Sequence, residues 1–190
     1  MTDPKLDTAI SQAWDILRQA IAEDRSPLRF VTLATVDAQN APQQRTVVLR
    51  ELDAQTATLS VFTDARSHKI GELGANDAVS LHLWAPDHLI QLRLSGQAKI
   101  TQGEALRTDW KKVPDHMREA YGHVPSPGTK IDAPDAWTEQ PDIENFAKIT
   151  VTLSQFDIVC LSPDGHWRAK FLRENNWKGD WLSPSPAEFP

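Results

Sequence analysis

The chain has 190 residues, and its 20 Lys and Arg against 26 Asp and Glu leave a formal net charge of −6, a balance that disfavours general binding to nucleic acid or to anionic membranes. Its one cysteine, Cys160, rules out an intrachain disulfide and suits a reducing compartment. The opening "MTDPKLDTAI" lacks the basic start and apolar core of a signal peptide, and no apolar run nears the roughly 18 residues of a membrane span. A cytoplasmic protein is expected, built as a single domain over 1–190 that buries about 70% of the surface its unfolded chain exposes.

Leu6, Ile10, Ala13, Trp14, Leu17 and Ile21 recur at helical spacing and predict an amphipathic helix from Pro4 to Glu23, within an N-terminal segment 1–24. Strands follow at Phe30–Val36, Gln44–Leu52 and Thr58–Thr63, joined through the turn-forming "DAQNAP" and "DAQTA". "SHKIGELGAND" predicts a short helix entered through Ser67. "AVSLHLWA" and "HLIQLRLSGQAKI" alternate as strands, Leu89, Gln91, Arg93 and Ser95 on one face and Ile90, Leu92 and Leu94 on the other. Thr101–Val113 reads as a helix capped by Thr101 with Ala105, Leu106 and Trp110 inward, continuing into "DHMREAY". From 122 to 145, four prolines interrupt a polar stretch with no sustained period, the mark of a long functional or partner-contacting loop. Strands return at Lys148–Leu161 and "HWRAKFL" around an "SPDG" turn, then near Trp181, before a tail over 184–190.

Consecutive strands with short connections imply an antiparallel meander, and about seven of them imply a barrel. The fold class is mainly β: a small antiparallel β-barrel with peripheral helices. Strands and helices do not alternate, and neither GxGxxG nor a Walker loop is present. The six histidines include no HxH or HExxH pair, so no metal is assigned.

The chemistry-bearing feature is "RTVVLRELDAQTATLSVFTDARSHK", in which Arg45, Arg50, Arg66, His68 and Lys69 gather at strand ends. Ser67, His68 and Lys69 open the predicted short helix, where free amides and the helix dipole favour an anion. Arg45 adds a guanidinium fork suited to phosphate. The simpler alternative, favoured by periodicity alone, is that Ser67 caps the helix and the cations form a solvated face. Cys160 reads as a small buried hydrophobe, Arg118, Glu119 and Tyr121 as surface residues, and Asp157 as a strand residue able to face water.

"RTVVLR" followed by "FTDARSHK", Trp84 before "IQLRLSGQA", and the closing "HWRAKFLRENNWKGDWLSP" together resemble the pyridoxamine 5′-phosphate oxidase-like family of FMN-binding split β-barrels. The resemblance implies that Arg45, Ser67 and Lys69 hold the FMN phosphate, with His68 where the family has arginine. It places Thr46, Val47, Val48 and Thr63 along the ring or ribityl chain, Gln91 at the polar edge of the flavin and Lys170 at the family's late arginine. Arg50, at the family's lysine, and His166 and Arg168, in reversed order, fall on its substrate side; no catalytic residue announces itself. A homodimer with flavin at the subunit interface, an FMN-dependent oxidoreductase activity and a small-molecule substrate are implied. Three alternatives stand beside this: a true pyridoxamine or pyridoxine 5′-phosphate oxidase, a flavin-binding module without turnover, and a barrel of the same shape holding haem or a deazaflavin.

Overall fold

A computed structural model describes residues 3–163 and 165–183 of the chain. The tail over 184–190 and Asp164 of the "SPDG" turn lie outside the described residues. Helix α1 spans Pro4–Ala22. Asp3 caps it by accepting from the Lys5 amide at 2.9 Å, and Pro4 sits where an amide would go unpaired. Ala9, Ala13, Trp14, Ile16, Leu17 and Ala20 form its buried stripe. A side chain the size of Leu17, fully buried, contributes about 1.5–3 kcal/mol.

The strands are β1 (Phe30–Val36), β2 (Pro42–Asp53), β3 (Thr58–Asp64), β4 (Ala78–Ala85), β5 (Ile90–Gln102), β6 (His123–Val124), β7 (Thr138–Glu139), β8 (Phe146–Ser162), β9 (Gly165–Leu172) and β10 (Gly179–Leu182). Eight of them form one antiparallel sheet, ordered β10-β9-β8-β3-β2-β1-β4-β5, and β8 also pairs with β5. The ring β8-β3-β2-β1-β4-β5 is therefore a closed six-stranded barrel, with β9 and β10 as an extension. Closure rests on β8. One of its edges pairs with β5 from Ala147 to Cys160, while the other meets β3 over Phe146–Thr152 and β9 over Gln155–Ser162.

Alternation sorts the side chains. On β4, Val79, Leu81, Leu83 and Ala85 are buried while Ser80, His82 and Trp84 face out. The main core joins α1 to the barrel interior, with Trp14 edge-on to Phe156 at 4.7 Å between centroids. A smaller core outside β3 and β8 collects Leu106, Val113, Tyr121 and Phe146, with Phe62 and Trp110 against it.

Three readings of the sequence are corrected. Strand β5 continues to Gln102, so Thr101 caps nothing. The expected helix begins as a 3-10 turn at Gly103–Leu106, where Ala105 is exposed, and becomes α3 only at Arg107–Lys112. Gly103 at φ +62° makes that corner, a backbone conformation that the helical spacing of its neighbours conceals. After α2 (His68–Ala75), described below, and α3, a further short helix, α4, covers Asp115–Arg118. The 122–145 stretch is not patternless: β6 and β7 pair, and Ile143–Asn145 forms a 3-10 turn. Two-residue strands leave no periodic signal. Tyr121, read as a surface residue, is 6% exposed.

Gly96 lies where the β5–β8 register slips between Ser95 and Gly96. A Cβ there would sit 2.3 Å from the Thr152 carbonyl oxygen, a backbone atom that cannot swing aside. Gly96→Ala is expected to cost about 1–3 kcal/mol through overpacking of the closing pair, measurable as a shift in the urea midpoint at unchanged slope.

Candidate functional site

Strand β3 runs into a tight turn at Ala65–Ser67 and then into α2. Asp64, 5% exposed, organises that turn: it accepts from the Arg66 amide at 2.8 Å and from the Arg66 guanidinium at 3.0 and 2.6 Å. Arg66 also donates to the His123 carbonyl at 3.0 Å, fastening the proline-rich segment to the turn. Ser67 occupies the N-cap position, but its side chain does not cap the first amides of α2; its hydroxyl donates to the Asp64 carbonyl at 2.7 Å. The start of the helix thus keeps donors for another partner.

Lys69 folds back over this turn. Its ammonium donates to Thr63 Oγ1 at 2.9 Å and to Ser67 Oγ at 3.0 Å. Burial pushes its pKa below the usual lysine value, and the nearby Arg45 guanidinium pushes it the same way; Asp64 and Glu72 oppose both. Arg45, on β2, bonds Glu72 of α2 at 2.7 Å and also Thr35. Two cations held together in a partly buried place, beside uncapped amides, suit an anion with several oxygens. An FMN phosphate fits these residues on that ground.

Arg45, Thr63, Ser67 and Lys69 therefore come together. His68 is exposed at the first position of α2, with Gly128 against its ring. Val47 turns into the core, on the opposite face of β2 from Thr46 and Val48, so it is not brought to that outer face. Thr46 and Val48 share the outer face with Phe30, directly across from Val48 on β1 and 60% exposed. Trp84 pairs with Gln91 across β4 and β5, and Gln91 with Val159 on β8. Lys170, Arg168 and His166 alternate along β9, which β8 and β3 separate from β2. Within one chain they form a second group, apart from the Arg45 cluster.

Asp157 dominates that second group. It is 5% exposed and does not face water, a correction to its reading as a plain strand residue. Arg168 grips it through two bonds, at 2.9 and 2.7 Å, and Arg93 bonds it from β5. Sequence reasoning missed Arg93, although the shared face of Gln91, Arg93 and Ser95 was legible. It also missed Glu72 and Thr35 beside Arg45; Glu72 stands three residues after Lys69 on a short helix, a spacing that signals proximity. Tyr121, buried beside Arg50, carried no local signal, because only tertiary packing joins them.

Burial pushes the Asp157 carboxyl up, but Arg168 and Arg93 outweigh it and hold it below the usual carboxylate range. A depressed folded-state pKa stabilises the fold above the unfolded value near 3.8, and that contribution is lost as pH falls through the folded value. Because Arg93 is 43% exposed, the increment is modest, about 1–2 kcal/mol. Asp157→Asn is expected to lower stability by this amount at neutral pH and to lose less on acidification than the parent, as read by denaturant unfolding across the acid range.

Among the described residues no helix is long and apolar enough to cross a membrane. Residues 11–102 match the family model for the pyridoxamine 5′-phosphate oxidase FMN-binding domain. A pyridoxine/pyridoxamine 5′-phosphate oxidase of Teredinibacter turnerae is 39% identical over 94 residues, 48% of this chain and 43% of its own length. Pyridoxine/pyridoxamine 5′-phosphate oxidase 1 of Ralstonia nicotianae is 32% identical over 176 residues, 90% of this chain and 70% of its own length. Among solved structures, a pyridoxamine 5′-phosphate oxidase-related FMN-binding protein of Nostoc punctiforme superposes with a TM-score of 0.72 at 23% identity, covering 93% of this chain and 96% of its own. PhzG of Burkholderia lata, solved with tetrahydrophenazine-1-carboxylic acid, gives 0.76 at 18% identity over 97% and 98%. These two likenesses establish the fold.

Proposed function

Because the chain belongs to the pyridoxamine 5′-phosphate oxidase family, we propose that it is an FMN-dependent oxidoreductase whose flavin phosphate is held by Arg45, Ser67 and Lys69. The observation that carries this reading is the Arg45–Lys69 pair at the uncapped start of α2, where an anion would offset the burial, and then the Arg45 repulsion, that lower the Lys69 pKa. Thr63 orients the Lys69 ammonium, and Glu72 and Thr35 orient Arg45. Bound FMN supplies hydride acceptance and reoxidation; the chain supplies position, charge and exclusion of water.

The named relatives oxidise pyridoxine or pyridoxamine 5′-phosphate. For this chain we assign a different substrate. Arg168, the residue offered toward the pyridine side by the reversed His166–Arg168 order, is held by the buried Asp157 through both Nε and Nη2, whereas Arg45 gives Glu72 one bond.

The chromophore test is FMN titration of the apoprotein. Arg45→Ala and Lys69→Ala each remove a charge-assisted bond worth about 1.5–3 kcal/mol, so affinity is expected to fall about 10- to 150-fold. Parent-like affinity in both variants would remove the phosphate assignment.

A homodimer belongs to the same proposal. Phe30 at 60% and Trp84 at 38% exposure lie on the outer face that carries Thr46, Val48 and Gln91, and large exposed aromatics favour association. Lys170, remote from the Arg45 cluster within one chain, would then serve the flavin of the partner subunit. Sedimentation is expected to give about twice 21.3 kDa, and a monomer that still holds FMN tightly would sink the shared site.

A further inference from the structure

Beside the outer face lies a cavity of about 700 Å³, within the range of small-molecule sites, walled by Phe30, Val48, Phe62, Val113, Pro114 and Met117. Arg50 is its distinctive polar group. The β2–β3 register slips between Leu49 and Glu51, leaving Arg50 as the extra residue of a β-bulge, a device that re-aims a side chain. Its guanidinium lies over the Phe62 ring at 5.9 Å, and its Nε is buried without a hydrogen-bond partner among the described residues. A buried charged donor left unpaired is costly, and a ligand that supplies the acceptor removes the cost.

The other charges around the cavity are engaged or in water. Arg29 bonds Asp24 and the Asp24 and Leu49 carbonyls, Glu51 pairs with Lys148 at 2.5 Å, and Arg25 and Lys112 are exposed. Tyr121, beside Arg50 but not among the cavity's walls, is buried, and burial pushes its hydroxyl up while Arg50 opposes this. One planar fork, set among apolar walls, matches a single carboxylate on an aromatic or cyclic body. A phosphate dianion would find too few donors there.

The geometry points to an aromatic or cyclic monocarboxylate as the ligand class of this pocket, its carboxylate on Arg50 and its ring between Phe30, Phe62 and Met117. The inference rests on the flavin reading for what becomes of the ligand, but not for the binding itself.

The test uses the full chain, with FMN content read first from its visible absorbance. Binding of 1-naphthoate, benzoate and pyridoxal 5′-phosphate is then followed by ligand-observed NMR on parent, Arg50→Met and Arg50→Lys. The expected result is that 1-naphthoate binds more tightly than pyridoxal 5′-phosphate, without displacing FMN. Arg50→Met is expected to weaken it at least 10-fold, and Arg50→Lys, which keeps the charge but loses the fork, to restore only part. Tighter pyridoxal 5′-phosphate binding, naphthoate affinity indifferent to both substitutions, or release of FMN by naphthoate would each overturn the proposal. A protein that takes up no FMN yet binds naphthoate through Arg50 supports the pocket while removing the oxidoreductase reading.

Discussion

Strand β8 has to satisfy three partners with two edges. Seventeen residues long, it commits one edge to β5 and divides the other between β3 and β9. The division is a matter of length: at about 3.3 Å per residue, one strand outreaches any single neighbour. Closing the ring removes the open edges that would otherwise invite pairing with another chain, and the place where β3 gives way to β9 is where the barrel opens into its extension. The Arg45–Lys69 cluster lies at the β3 end of this arrangement, while the Asp157 group joins β5, β8 and β9 beyond it. The separation of the two groups follows from the splitting of one strand edge.

The same closure fixes which side chains are inside. Gly96 lets β5 pass close to the Thr152 carbonyl, and the Ser154 hydroxyl donates to the Ser95 carbonyl at 3.2 Å across the same irregularity. The second irregularity, at Arg50, does the opposite work. It does not bring backbones together but frees one side chain from the alternation that governs Leu49 and Leu52. Both slips interrupt an otherwise regular ladder, one for packing and one for presentation.

Much of this was legible in the sequence where one periodicity ruled. Strands β1 and β4 were predicted at their observed bounds, because apolar alternation and flanking turn residues agree there. Helix α1 is one residue shorter than expected. The sequence failed where tertiary geometry overrides local pattern: at Gly103, whose positive φ starts a corner inside an apparently helical stretch, and at β6 and β7, too short to show alternation. For the candidate site, the cations Arg45 and Lys69, with Ser67 and His68 before the latter, stood out because they cluster in an acidic chain. Their carboxylate and hydroxyl partners did not, since Thr35 and Glu72 reach Arg45 only once β1, β2 and α2 have packed together.

The bond from Arg66 to the His123 carbonyl has a thermodynamic reach beyond its own strength. It ties the proline-rich segment to the turn that positions Ser67 and Lys69, so loosening either one gives up this bond. Ordering the turn lowers the entropy still to be lost by the segment, and ordering the segment does the same for the turn. Occupancy of the proposed anion site and protection of the segment between Gly122 and Asn145 are thereby linked through this bond.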